Sequence, residues 1–173
     1  MPKLENQFHL RKAVFSDKET ICEILQQAIE RRRKDGSTQW QDGYPNPETI
    51  ENDIKNNYGF VLESENHILA YAAIIFEPEP AYEEMEGNWL SNGKYVVVHR
   101  VAVSKKVIGK GRATQIFKEI ENIAISANVF SIKVDTNYDN IPMLKILEKL
   151  GYQYCGEVHF RGSARKAFEK LLN

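Results

Sequence analysis

The stretch of this chain best suited to chemistry is Ser104-Lys105-Lys106-Val107-Ile108-Gly109-Lys110-Gly111, between an apolar strand pattern ending at Val103 and a helical pattern that follows. Glycines let the backbone come close to a ligand. The N–H groups of such a loop and of the first helical turn converge, and the helix dipole adds positive potential. Lys105, Lys106, Lys110 and Arg112 add cations within the same stretch. Together these features describe a phosphate-binding cradle. It is not a Walker A loop, because GxxxxGK[ST] is absent. Gly109-x-Gly111-x-x-Thr114 with Asp135 downstream imitates a dinucleotide fingerprint, but the third glycine is missing.

Other residues could support chemistry nearby. His99 precedes the loop on the strand and is either a base near neutral pH or a residue packed in the sheet. Trp40 and Tyr44 lie in a glycine-containing loop, where aromatics either wall a binding site or cover a satellite cluster. The glutamates Glu77, Glu79, Glu83, Glu84 and Glu86 could attract a cation, although a solubilising loop is the preferred reading. Arg31-Arg32-Arg33-Lys34 reads as a solvated helix end, with cations where the dipole favours them. Cys22 and Cys155 have no CxxC spacing, which argues against structural zinc, and neither belongs to a metal-ligand cluster. Buried, inert thiols are the expectation for both.

These residues need elements to hold them. Gln7 to Val14 alternates as a strand, and Ser16-Asp17-Lys18-Glu19 has the form of a capping box for a helix to about Lys34. A short helix is expected from Pro47 to Asn56. A hairpin, Tyr58 to Glu63 and His67 to Phe76, turns at Ser64-Glu65-Asn66. Residues 77–93 form the longest irregular connection. Lys94 to Val103 is a strand, a long amphipathic helix follows the basic loop, and Ser131 to Thr136 is a strand. Asn140 caps a helix with Pro142 in its first turn and Gly151 at its end. Tyr152 to His159 and Arg165 to Leu171 supply the last strands, with a helix over Ala167 to Leu172 as the alternative. The result is an α+β fold with a mixed, mostly antiparallel sheet of about six to seven strands. A parallel strand–helix–strand unit sits at its centre and helices cover both faces.

The 173 residues suit a single domain, 1–173, and the 42% hydrophobic content can fill a core. The 23 basic and 24 acidic residues leave a net charge of -1, which excludes a dedicated nucleic-acid binder. Residues 1–7 show no apolar leader, and the apolar run Leu69 to Phe76 is too short to span a bilayer. A reduced, cytoplasmic protein is expected, with exposed sheet edges that allow a homodimer.

The pattern resembles the GNAT superfamily of acetyl-CoA-dependent N-acetyltransferases over nearly the whole chain, most sharply from His99 to Tyr152. Arg100-Val101-Ala102-Val103 matches the family's strand end. Ile108-Gly109-Lys110-Gly111-Arg112-Ala113 aligns with its Q/R-x-x-G-x-G/A loop, with Ile108 departing from Gln or Arg. Asn140 and Leu150-Gly151-Tyr152 match a second signature, whose Tyr position falls on Leu147. The resemblance implies that the main chain of Val101, Ala102 and Val103 pairs with the pantetheine arm of acetyl-CoA. It implies that residues 108–113 hold the pyrophosphate and that Asn140 contacts the cofactor. It further implies that Trp40 and Tyr44 line the site of an amine acceptor, a small molecule or a peptide. His99 is then the expected base, and Tyr138 the substitute acid for the tyrosine missing at Leu147. The departures at 108 and 147 leave a non-catalytic acyl-CoA-binding module as the alternative.

Overall fold

The computed structural model describes residues 7–173; the segment read for a leader, residues 1–6, lies outside them. The elements run β1 (His9–Lys12), α1 (Lys18–Lys34), α2 (Pro47–Lys55), β2 (Gly59–Ser64), β3 (His67–Ile75), α3 (Pro80–Glu83) and β4 (Glu86–Gly87). After them come β5 (Val96–Val103), α4 (Arg112–Ser126), β6 (Ser131–Thr136), α5 (Ile141–Lys149), β7 (Gln153–Phe160) and β8 (Ser163–Leu171). They build one eight-stranded sheet in the order β1-β2-β3-β5-β6-β8-β7-β4. Among the described residues, only β5 and β6 pair in parallel, through the α4 crossover. Among the described residues, no helix is long and apolar enough to cross a membrane.

Strand alternation sorts the core onto two faces. Phe60, Leu62, Ala70 and Ala72 point to the face covered by α4, through Ile116, Phe117 and Ile120, and by Leu147 of α5. Val61 and Tyr71 point to the other face, under Ile21, Ile24 and Leu25 of α1 and Ile50 and Ile54 of α2. A third cluster, Tyr82, Tyr95, Val97, Val158 and Ala167, is closed by α3.

Two local expectations change, and one of two alternatives is decided. The Ser16–Glu19 capping box does not form. A 3-10 turn over Phe15–Asp17 leads into α1, and Asp17 accepts from the Val14 N–H at 2.8 Å and binds Arg11 instead. The segment after Ala167 is strand, because it pairs with β6 from Thr136↔Lys166 to Ser131↔Leu171. Residues 77–93 contain α3 and the two-residue β4, the strand beyond the expected count. There Gly87 faces Gly156, and a Cβ on Gly87 would lie 2.2 Å from the Cys155 carbonyl oxygen, so only glycines allow this pairing.

Candidate active site

The site begins at an irregularity in β5. Ala73 pairs with His99 and Tyr71 with Ala102, so Arg100 and Val101 together oppose Ala72 in a β-bulge. Arg100 takes a left-handed conformation, φ +56°. The extra residue turns the adjacent His99 and Arg100 to the same face, whereas regular strand would send them to opposite faces. Beyond the bulge, Val101 and Val103 pack on the α4 side and Ala102 under α1 and α2.

The same strand loses its neighbour at this point. β5 pairs with β6 only from Val96↔Ile132 to Val98↔Val134, leaving the β6-side edge from His99 to Val103 bare. Ser104 N–H bonds the Leu69 carbonyl at 2.8 Å, and Tyr71 pairs with Ala102. By antiparallel alternation, the polar groups of Val101 and Val103 therefore face the open edge, while those of Ala102 face β3. The Val103 carbonyl accepts from Arg31 Nη2 at 2.7 Å, and Arg31 Nη1 is buried without a partner among the described residues.

The edge runs into the glycine loop. Gly109 and Gly111 are left-handed, at φ +78° and +74°, and a Cβ at either would meet nothing within 4 Å. Gly111 caps α4, and Gln115 N–H is bonded to its carbonyl, so the amides of Arg112, Ala113 and Thr114 precede the helical ladder. Ile108 is exposed. The Lys106, Lys110 and Arg112 side chains turn to another cavity, bounded by the β2–β3 turn and α1, where the Arg112 guanidinium lies 4.3 Å from the Phe8 ring centre. The loop at 108–113 thus presents main chain and a helix end to the strand edge rather than these basic side chains.

A cleft of about 320 Å³ opens where β5 and β6 separate. His99 lines it, with Nε2 3.5 Å from Glu79 Oε2 and Nδ1 3.7 Å from Asp135 Oδ1. Contact with His99 holds the Glu79 carboxyl below its usual range. Tyr82 donates to Asp135 Oδ1 at 2.6 Å, and burial pushes that phenol's pKa up, keeping it a donor. Arg100 binds Asp53 through two contacts, 2.9 and 2.6 Å, and Tyr71 donates to the same carboxylate at 2.5 Å. Trp40 is buried in the α1–α2 cluster and also lines the cleft. Tyr44 bonds Arg100, and Arg161 stacks on its ring at 3.9 Å.

Asn140 caps α5 through Met143 N–H, donates to Gln39 Oε1 at 2.8 Å and accepts from Arg32, while lining the cleft. Tyr138 is not brought to His99: it is 45% exposed and its hydroxyl donates to Glu157. Leu147 is wholly buried in the core. Burial raises the pKa of both cysteine thiols, which makes them poor nucleophiles.

Sequence reasoning missed Glu79, Asp135, Arg31 and Arg32. The solubilising reading of the glutamates is corrected at Glu79, which is half-buried and meets His99, while the exposed Glu77 and Glu83 accept from Tyr58 and Tyr95. The run 31–34 is likewise not all solvated, since Arg31 and Arg32 reach across to Val103 and Asn140.

The parallel pair thus splays beside a glycine loop and a helix N-terminus. The Acetyltransferase (GNAT) family model matches residues 23–152, and the chain belongs to that family. A GNAT acetyltransferase structure from Streptococcus agalactiae 2603 is 35% identical, covers 96% of each chain and superposes with a TM-score of 0.87. A GNAT acetyltransferase from Listeria monocytogenes 4b F2365 shares the fold at 23% identity, 95% coverage of each chain and TM-score 0.76. An uncharacterized N-acetyltransferase of Bacillus subtilis (strain 168), YesJ, is 24% identical over 164 residues, 89% of each chain.

Proposed function

We propose that this protein transfers the acetyl group of acetyl-CoA to a primary amine of a small molecule or peptide, by direct attack in a ternary complex. The observation that carries this reading is the bare edge of β5 from His99 to Val103, leading into the left-handed glycines and free first-turn amides of α4. The residues fit the cofactor. The open main-chain groups of Val101 and the Val103 N–H suit the amides of an extended arm added as a strand, the Val103 carbonyl being taken by Arg31. The amides at 108, 109 and 111–113 suit a pyrophosphate, Lys110 N–H being bonded to the Val107 carbonyl, and Arg31 Nη1, without a partner among the described residues, lies beside the strand edge. When bound, acetyl-CoA supplies the thioester carbon that the amine attacks.

His99 accepts a proton from the acceptor ammonium, and Asp135 and Glu79 hold the imidazole and stabilise its charge. Val101 or Val103 N–H donates to the developing oxyanion. A C–N bond replaces the C–S bond; one ammonium proton passes through His99 to solvent and a second goes to the departing sulfur. Two unpaired cysteines suit the reducing cytoplasm. The buried Leu147 favours the second reading, an acyl-CoA-binding module without turnover. An amine screen that reads released CoA thiol separates the two: transfer gives amine-dependent thiol, while the binding module gives acetyl-CoA binding and no thiol.

A further inference from the structure

Arg165, on β8, stands in the cleft wall and has donors that the acetyl-transfer chemistry does not use. It is only 8% exposed, and its Nε has no hydrogen-bond partner among the described residues. Its Nη1 is 3.7 Å from Asp135 Oδ2, beyond hydrogen-bond length. A buried guanidinium with unused donors is costly unless something completes it. The other cations of this wall are engaged: Arg100 by Asp53 and Tyr44, Arg161 by Asp42 at 3.0 Å. His99 and Arg165 flank one aromatic ring, with the imidazole centre 5.8 Å from the Phe160 centroid and the guanidinium carbon 5.8 Å from it. The cleft thus sets a proton acceptor, backed by Glu79, beside an anion receptor.

We propose that the acceptor is a free amino acid, its amine presented to His99 and its carboxylate bound by Arg165. The inference rests on the acetyl-transfer reading and names its substrate class. A neutral or purely cationic amine would leave the buried Arg165 Nε without an acceptor, Asp135 meeting only the Nη1 side at 3.7 Å. A cleft of about 320 Å³ is at the small end for ligand sites and suits a compact zwitterion.

The test compares amino acids with their decarboxylated amines, such as L-phenylalanine with 2-phenylethylamine and L-methionine with 3-(methylthio)propylamine, across small, apolar and acidic side chains. The wild type should show kcat/KM at least tenfold higher for some amino acid than for its amine. Arg165→Gln should lower that ratio at least tenfold, and Arg165→Lys should keep part of it. Equal kcat/KM within every wild-type pair, or a preference that survives Arg165→Gln, overturns the proposal while leaving acetyl transfer standing. If no amine releases thiol, transfer fails, and the thermal shift of the CoA-saturated wild type decides the anion site. A shift with amino acids and not with their amines supports it, and equal shifts overturn it.

Discussion

His99 and Asp135 each directly follow the last paired residues of β5 and β6, Val98 and Val134, and His99 Nδ1 lies 3.7 Å from Asp135 Oδ1. The separation of the parallel pair therefore both opens the cleft and places an imidazole in it between two carboxylates. His99→Ala should lower kcat by about 10²–10⁴-fold, the usual worth of a positioned base. Acetyl-CoA affinity by calorimetry should stay unchanged. Turnover and a pH profile close to wild type would remove His99 from the mechanism.

Gly111 separates backbone strain from ligand blockage. It is left-handed, with open space where a Cβ would go. Gly111→Ala should lower stability by about 1–2 kcal/mol, the cost of that conformation for an L side chain, and still bind acetyl-CoA. Gly111→Glu should fold comparably and lose cofactor binding, because a carboxylate would stand in the phosphate cradle. Calorimetric titration of both variants checks this.

Arg100 and Asp53 form a buried ion pair at 2.6 Å in the cleft wall. Asp53→Ala would leave the guanidinium uncompensated next to Tyr71. Removing one partner of such a pair costs about 3–5 kcal/mol. Urea denaturation should show a loss of that size, and a loss near zero would mean the pair relaxes to solvent.

Arg11 hydrogen bonds hold the Asp17 carboxyl below its usual range, and the Val14 N–H adds to this. A carboxylate with a depressed folded pKa stabilises the fold above its unfolded value, about 3.9, and loses that contribution as pH falls through the folded value. Asp17→Asn should therefore be less stable than wild type at pH 7, by about 1–3 kcal/mol. The gap should narrow below about pH 4. Melting curves across pH would show it; a gap independent of pH would mean that packing, not charge, sets the effect.

Much of this was readable from local pattern. Two apolar runs about the Ser64-Glu65-Asn66 turn marked the β2–β3 hairpin, and the glycines and cations of 104–112 marked the loop before α4. The hidden parts depend on distant partners. Nothing near Arg100 signals a positive φ, because the bulge is imposed by pairing with β3. Glu79 looked like one of several loop acids until α3, capped by that same carboxylate through Ala81 N–H, set it against His99. Arg31 and Arg32 carry a helix-end signature, yet packing of α1 turns them toward the cleft. Tyr138 adjoins Asn140 in sequence, but the loop sends its ring to Lys166 and Glu157 instead.

The most direct test of the central claim is the melting temperature with acetyl-CoA, CoA, ATP and NAD in parallel. A ligand that binds only the folded chain raises it by mass action. Stabilisation by acetyl-CoA and CoA, and its loss in Gly111→Glu, is the expected result. Stabilisation by ATP or NAD alone, or by none of the four, would contradict the assignment of the β5–β6 cleft to an acyl-CoA.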